Sequence, residues 1–105
     1  MNKYYYKDGT TSSILDHSKI LHREDGPAVK HTDGSKFWYF NNKLHRTDGP
    51  AVMRYNNWKE GYVEYFWIDN ENYSKKKFNK LIEEAKQLPL ALRLIDPREW
   101  VRKAV

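Results

Sequence analysis

The chain has no cysteine among its 105 residues. That excludes disulfide staples, thiolate zinc sites and cysteine nucleophiles, and it fits a reducing compartment. No apolar run approaches the roughly 18 residues of a membrane span. The first residues, Met1-Asn2-Lys3-Tyr4-Tyr5-Tyr6, hold no apolar signal core. These absences lead to the expectation of a soluble protein of the cytoplasm with no membrane partner. The chain is also short. One domain of this length has a radius of gyration of roughly 13 Å and buries about 65% of the surface its unfolded form exposes. That leaves little room for a large enzyme fold with a deep cleft, and no cofactor is expected. What is plentiful is aromatic: 16 of 105 residues are Trp, Tyr or Phe. Disordered chains are poor in aromatics, so a charged content of 31% does not signify disorder.

Charge and aromatics divide along the chain. Residues 1–73 carry 10 Lys/Arg and 10 Asp/Glu, whereas residues 74–105 carry 9 basic and 4 acidic residues. The whole net charge of +5 therefore lies in the last third. Fourteen aromatics lie at or before Tyr73, leaving only Phe78 and Trp100 beyond it. A single domain over 1–105 is expected, with a β region over 1–73 and a basic helical region over 74–105.

The first region contains a repeat. Leu21-His22-Arg23-Glu24-Asp25-Gly26-Pro27-Ala28-Val29 returns 23 residues later as Leu44-His45-Arg46-Thr47-Asp48-Gly49-Pro50-Ala51-Val52, identical at eight of nine positions. An aromatic block follows each copy: Phe37-Trp38-Tyr39-Phe40 after the first, and Tyr65-Phe66-Trp67-Ile68 after the second, about five residues late. Tyr4-Tyr5-Tyr6 and Asp8-Gly9 read as a decayed earlier unit. Runs of Tyr, Phe, Trp and Val bounded by turn residues predict short strands. Asp8-Gly9, Asp25-Gly26, Asp33-Gly34 and Asp48-Gly49 are expected to supply positive φ at turns, and Asn41-Asn42 and Asn56-Asn57 tolerate it. Pro27 and Pro50 cannot donate to a ladder and should open strands.

Beyond Tyr73 the pattern becomes helical. Ser74 is a natural N-cap. Phe78, Leu81, Ile82, Ala85 and Leu88 form one apolar stripe. Pro89 ends that helix, and Asp96-Pro97 begins another that carries Trp100, Val101 and Ala104. A single-layer sheet needs a cover, so Phe78, Leu81, Ile82 and Trp100 are expected to pack on one side or end of it. The opposite face would stay exposed and rich in Tyr and Trp. The expected fold is thus α+β: an antiparallel β-meander of hairpin repeats covered at one face or end by C-terminal helices.

The pattern Leu-His-Arg-x-Asp-Gly-Pro-Ala, then a strand, a turn and an aromatic strand closing in a short Asn turn, occurs twice here. It resembles a repeat family common in bacteriophages and large DNA viruses, similar in style to MORN-type hairpin repeats. The resemblance spans about Asp8 to Glu84. The ending Trp67-Ile68-Asp69-Asn70-Glu71-Asn72-Tyr73-Ser74, followed by Phe78, is similar to the way such arrays run from a last hairpin into a helix. The resemblance implies a viral origin and a hairpin-repeat sheet, and implies no activity. The longer second repeat departs from the pattern and suggests specialisation.

The candidate chemistry has competing readings. His22, Arg23 and Asp25, with His45, Arg46 and Asp48, could form a metal or acid/base cluster. As residues that occur once per repeat, they could instead serve the repeat itself: Asp capping the turn through backbone N–H groups, Arg bracing it, His packing along the ladder. His17 and His31 follow no ligand spacing. No serine stands in a nucleophile-elbow context and no phosphate loop is present. Lys75, Lys76, Lys77 and Lys80, with Lys86, Arg93, Arg98, Arg102 and Lys103, could meet phosphate or an acidic surface, or merely solvate a helix face. Lysines at a helix N-terminus oppose the macrodipole. The aromatic strands alternate, with Phe37 and Tyr39 on one face and Trp38 and Phe40 on the other. One set is core; the other is ladder packing or a contact surface.

Together these features lead to the expectation of a non-enzymatic viral binding protein in the host cytoplasm. Its expected role is to inhibit a host defence component, such as a CRISPR effector protein or ribonucleoprotein, by steric block. The expected contact residues are Trp38, Tyr39, Tyr65, Trp67, Lys75, Lys76, Lys77 and Lys80, with no catalytic residue and no metal. A nucleic-acid or nucleotide binder using the basic helix and exposed aromatics is the alternative. A metal-dependent hydrolase built on the repeated His and Asp is a third. Open sheet edges also make a homodimer an expectation.

Overall fold

Short apolar runs, broken every few residues by Asp-Gly or Asn-Asn, favour short ladders, with longer ones only where the second repeat is extended. The computed structural model, which describes residues 1–87, shows this. The strands are β1 (Lys3–Tyr5), β2 (Thr11–Ser12), β3 (Val29–Lys30), β4 (Lys36–Phe37), β5 (Tyr39–Phe40), β6 (Lys43–Leu44), β7 (Val52–Asn56), β8 (Gly61–Ile68) and β9 (Glu71–Tyr73), followed by helix α1 (Lys75–Lys86). Seven strands form one sheet in the order β2-β1-β3-β4-β7-β8-β9, and β5-β6 form a separate two-stranded ladder. All pairs are antiparallel. The class is α+β: a mostly antiparallel sheet with one short helix. The order departs from a simple up-and-down meander at β1, which sits inside β2, and at β5-β6, which leave the sheet.

The register defines two faces, because directly opposed residues point the same way. Tyr4, Val29, Phe37, Val52 and Tyr65 are aligned across five strands. Continuing that register by one residue aligns Tyr5, Ala28, Trp38, Ala51 and Phe66 on the other face. Ala28 and Ala51 are fully buried. Their small side chains leave room for the large rings on either side. Pro27 and Pro50 lie just before β3 and β7, where a missing N–H costs nothing.

Two turn expectations are corrected. Gly26 and Gly49 do not have positive φ, and neither do Asn56 and Asn57; among the described residues the positive-φ positions are Gly9, Gly34, Asn41, Asn42, Glu60, Asp69 and Asn70. At the β7–β8 turn it is Glu60 that adopts the left-handed conformation.

The Ser74 hydroxyl accepts the Lys77 backbone N–H at 3.2 Å and caps α1. Phe78 and Leu81 are buried, and the Phe78 ring lies 4.7 Å from that of Phe66. Phe66, Ile68 and Phe78 form a core cluster, with Tyr73 and Ile82 packed against it. The helix thus meets the β8–β9 end of the sheet. The expectations for Leu88, Pro89, Trp100, Val101, Ala104, the second helix and Arg93, Arg98, Arg102 and Lys103 lie outside the described residues. Among the described residues no helix is long and apolar enough to cross a membrane.

Candidate functional site

The repeated motif builds the same contacts twice. Arg23 Nε donates to Asp25 Oδ1 at 3.0 Å and Nη1 donates to the Pro27 carbonyl at 3.3 Å, while the guanidinium stacks 4.1 Å from the Tyr5 ring. Arg46 repeats this with Asp48 at 2.7 Å, Pro50 at 3.0 Å and the Trp38 ring at 4.0 Å. The glycines are explained here. A Cβ on Gly26 would meet Arg23 Cζ at 3.1 Å, and one on Gly49 would meet Arg46 Cζ at 2.9 Å. Asp25 and Asp48 hold the arginines and do not cap backbone N–H groups as expected; Asp8, Asp16 and Asp33 do that, accepting from Thr10, Ser18 and Ser35.

His22 and His45 act as acceptors. Nδ1 of His22 accepts the Asn41 N–H, and Nδ1 of His45 accepts the Asp69 N–H, both at 3.1 Å. The next turn residue is tied to the preceding leucine: Asn42 N–H donates to the Leu21 carbonyl at 2.9 Å and its Oδ1 accepts the Leu21 N–H at 2.7 Å. Asn70 does the same for Leu44. Each Leu-His-Arg segment is thereby stitched to the turn of the following hairpin. Both histidine rings pack on Phe40, at 4.4 and 5.9 Å. Among the described residues no three His, Asp or Glu side chains gather as a metal site.

The expected contact residues separate. Trp38 is half-buried beneath Arg46 on one face. Tyr65 and Trp67 alternate onto the other face of β8, whereas Tyr39 stands on the separate β5-β6 ladder; Tyr39 and Trp67 are half-buried, and burial pushes the Tyr39 phenol above its usual value. Lys75, Lys76, Lys77 and Lys80 are exposed. Of the four most exposed aromatics only Tyr65 is among the expected contact residues; Trp58, Tyr62 and Tyr55 are not. Trp58 is 97% exposed, Tyr62 49%, Tyr65 40% and Tyr55 37%, and all four lie on the β7–β8 hairpin. The signal was present in the five extra residues of the second repeat. They extend the ladder through Arg54↔Val63, Tyr55↔Tyr62 and Asn56↔Gly61, for which the β3–β4 hairpin has no counterpart.

Two clefts flank this hairpin. One of about 500 Å³ is lined by Lys59, Tyr62, Tyr65 and Tyr73 together with Ser74 and Lys75, so one helix lysine stands beside the sheet's exposed aromatics. The other, of about 280 Å³, holds Arg54, Trp58 and Tyr65. Burial first, and then the hydrogen bond to Glu71, push the Tyr73 phenol above its usual value. No family model, curated protein or solved structure matches this chain.

Proposed function

We propose that the protein is a non-enzymatic viral binding protein that inhibits a host defence component in the host cytoplasm by covering a protein or ribonucleoprotein surface. We read its sheet as an array of phage-type, MORN-like hairpin repeats closed by C-terminal helices. The observation that carries the reading is the lengthened β7–β8 hairpin with its four exposed aromatics. Tyr and Trp dominate binding hot spots, and about 800 Å² per partner suffices for a stable complex. The test is affinity capture from virus-infected host lysate, with wild-type protein and the Trp58→Ala/Tyr62→Ala variant side by side. A defence component recovered by the wild type and lost by the variant is the expected result. The same proteins recovered by both would sink it.

The second reading, nucleic-acid binding, is favoured by one observation: Lys59 and Lys75 line the same cleft as Tyr62 and Tyr65. It predicts nucleic acid in nuclease-free preparations and an affinity that falls steeply with salt. A flat salt response would remove it.

A further inference from the structure

The neutral balance of residues 1–73 conceals a segregated surface. Lys3 lies directly opposite Lys30, and Lys30 directly opposite Lys36, across β1, β3 and β4. Residues so paired share a face, with Cβ atoms about 4.5–5.5 Å apart. Three lysines therefore stand in one row, the outer two exposed. None of them forms an ion pair with a carboxylate among the described residues. Two residues along from Lys3, on the same face, is Tyr5. Its ring lies 4.1 Å from the Arg23 guanidinium, 5.1 Å from the Lys3 ammonium and 5.8 Å from that of Lys30. Burial pushes the Tyr5 phenol up, but the hydrogen bond with Lys3 and the charges of Arg23, Lys30 and Lys3 outweigh it and hold it below its usual value. Further along the same row come Met53, which is neutral, and then Glu64, the first carboxylate in it.

Like charges directly opposed on a sheet are destabilising. Fold stability therefore does not account for the row, and a polyanion would. We propose that Lys3, Lys30 and Lys36, with Arg23 and Tyr5 beside them, bind the phosphodiester backbone of a single-stranded nucleic acid. Cations that converge would suit one phosphate; cations in line suit successive phosphates on a chain. Lysine serves as a point charge for such contacts, and the Tyr5 ring holds the Arg23 guanidinium and the Lys3 and Lys30 ammoniums close together. The row spans β1, β3 and β4 and borders β7, where Lys36 lies opposite Met53; it is made of residues other than the exposed aromatics of the β7–β8 hairpin, so separate variants test the two.

The test is fluorescence anisotropy with a labelled oligothymidylate over a range of salt concentrations. Three phosphate contacts predict a log–log salt slope of about −2 for a single strand. Lys3→Gln/Lys30→Gln/Lys36→Gln is expected to weaken binding about tenfold or more and to bring the slope towards zero. Lys75→Gln/Lys76→Gln/Lys77→Gln is expected to retain the slope. Lys30→Gln alone should raise the melting temperature while weakening binding, because it relieves two like-charged neighbours. Equal affinity and slope for the triple row variant and the wild type would overturn the proposal. So would competition by polyglutamate, or by inorganic phosphate at equal phosphate concentration, as effective as that of unlabelled oligothymidylate.

Discussion

The Arg46 guanidinium lies so close to Gly49 that a methyl there would displace it. A Cβ at Gly49 would come within 2.9 Å of Cζ, against 3.1 Å for Gly26 and Arg23. Each guanidinium is the far end of a flexible side chain and can move aside, but only by loosening its ring stacking and its hydrogen bonds. Gly49→Ala is therefore expected to destabilise more than Gly26→Ala in urea unfolding, and equal midpoints would refute the close-approach account. The contacts of the arginine itself are unequal. Asp48 is mostly solvent-exposed, so its ion pair contributes little, within about 1 kcal/mol. The stacking on Trp38 and the bond to the Pro50 carbonyl are sheltered and contribute more. Arg46→Ala should cost about 1–3 kcal/mol and Asp48→Ala under about 1 kcal/mol, while Arg46→Lys should rescue little, because it loses the planar fork. The sequence repeat made these positions visible but not their reason. Glycine answers two demands, a positive φ and a close approach, and a sequence does not distinguish them.

Hairpin length separates the two repeats. From Val29 to Phe37 the chain turns within a few residues; from Val52 to Tyr65 it extends a ribbon of five paired positions. Alternation showed which aromatics share a face. It did not show which are exposed, because that depends on what lies over each face: Arg46 over Trp38 and Phe78 over Phe66. The ribbon's end has no such cover, so Tyr55, Trp58 and Tyr62 remain open. Exposed side chains away from packed contacts contribute within about 0.5 kcal/mol. Trp58→Ala should leave the thermal midpoint unchanged, and a large loss would mean that Trp58 serves the fold. The helix was easier to foresee. Ser74 and the stripe of Phe78, Leu81 and Ile82 stand where the spacing placed them. Ser74→Ala should cost about 0.5–2 kcal/mol. Phe78→Ala should cost about 3 kcal/mol or more, since it removes the ring that covers Phe66; a smaller loss for Phe78→Ala than for Ser74→Ala would contradict that packing.

At the scale of the molecule the shape is a slab, 42 × 36 × 18 Å, with a radius of gyration of 14.7 Å, wider than the roughly 13 Å of a rounder chain of this length. A thin layer buries little: among the described residues no large side chain is fully enclosed. Folding then depends to an unusual degree on its turns, and three of them are held by ionised aspartates. The hydroxyl and N–H of Thr10 hold the Asp8 carboxyl below its usual 3.8, the hydroxyl and N–H of Ser18 do so for Asp16, and the N–H and hydroxyl of Ser35 for Asp33. The direction sets the sign. A carboxylate whose folded value is depressed stabilises the fold above its unfolded value, and that contribution disappears as pH falls through the folded value. Stability should therefore decline from about pH 4 downwards. Asp8→Asn/Asp16→Asn/Asp33→Asn keeps an acceptor oxygen at each turn but loses the charge. This variant should be less stable than the wild type at neutral pH, and the gap should close in strong acid. Thermal melts across that range measure it. A gap that persisted in strong acid would mean that the turns rely on the shape of these side chains and not on their charge.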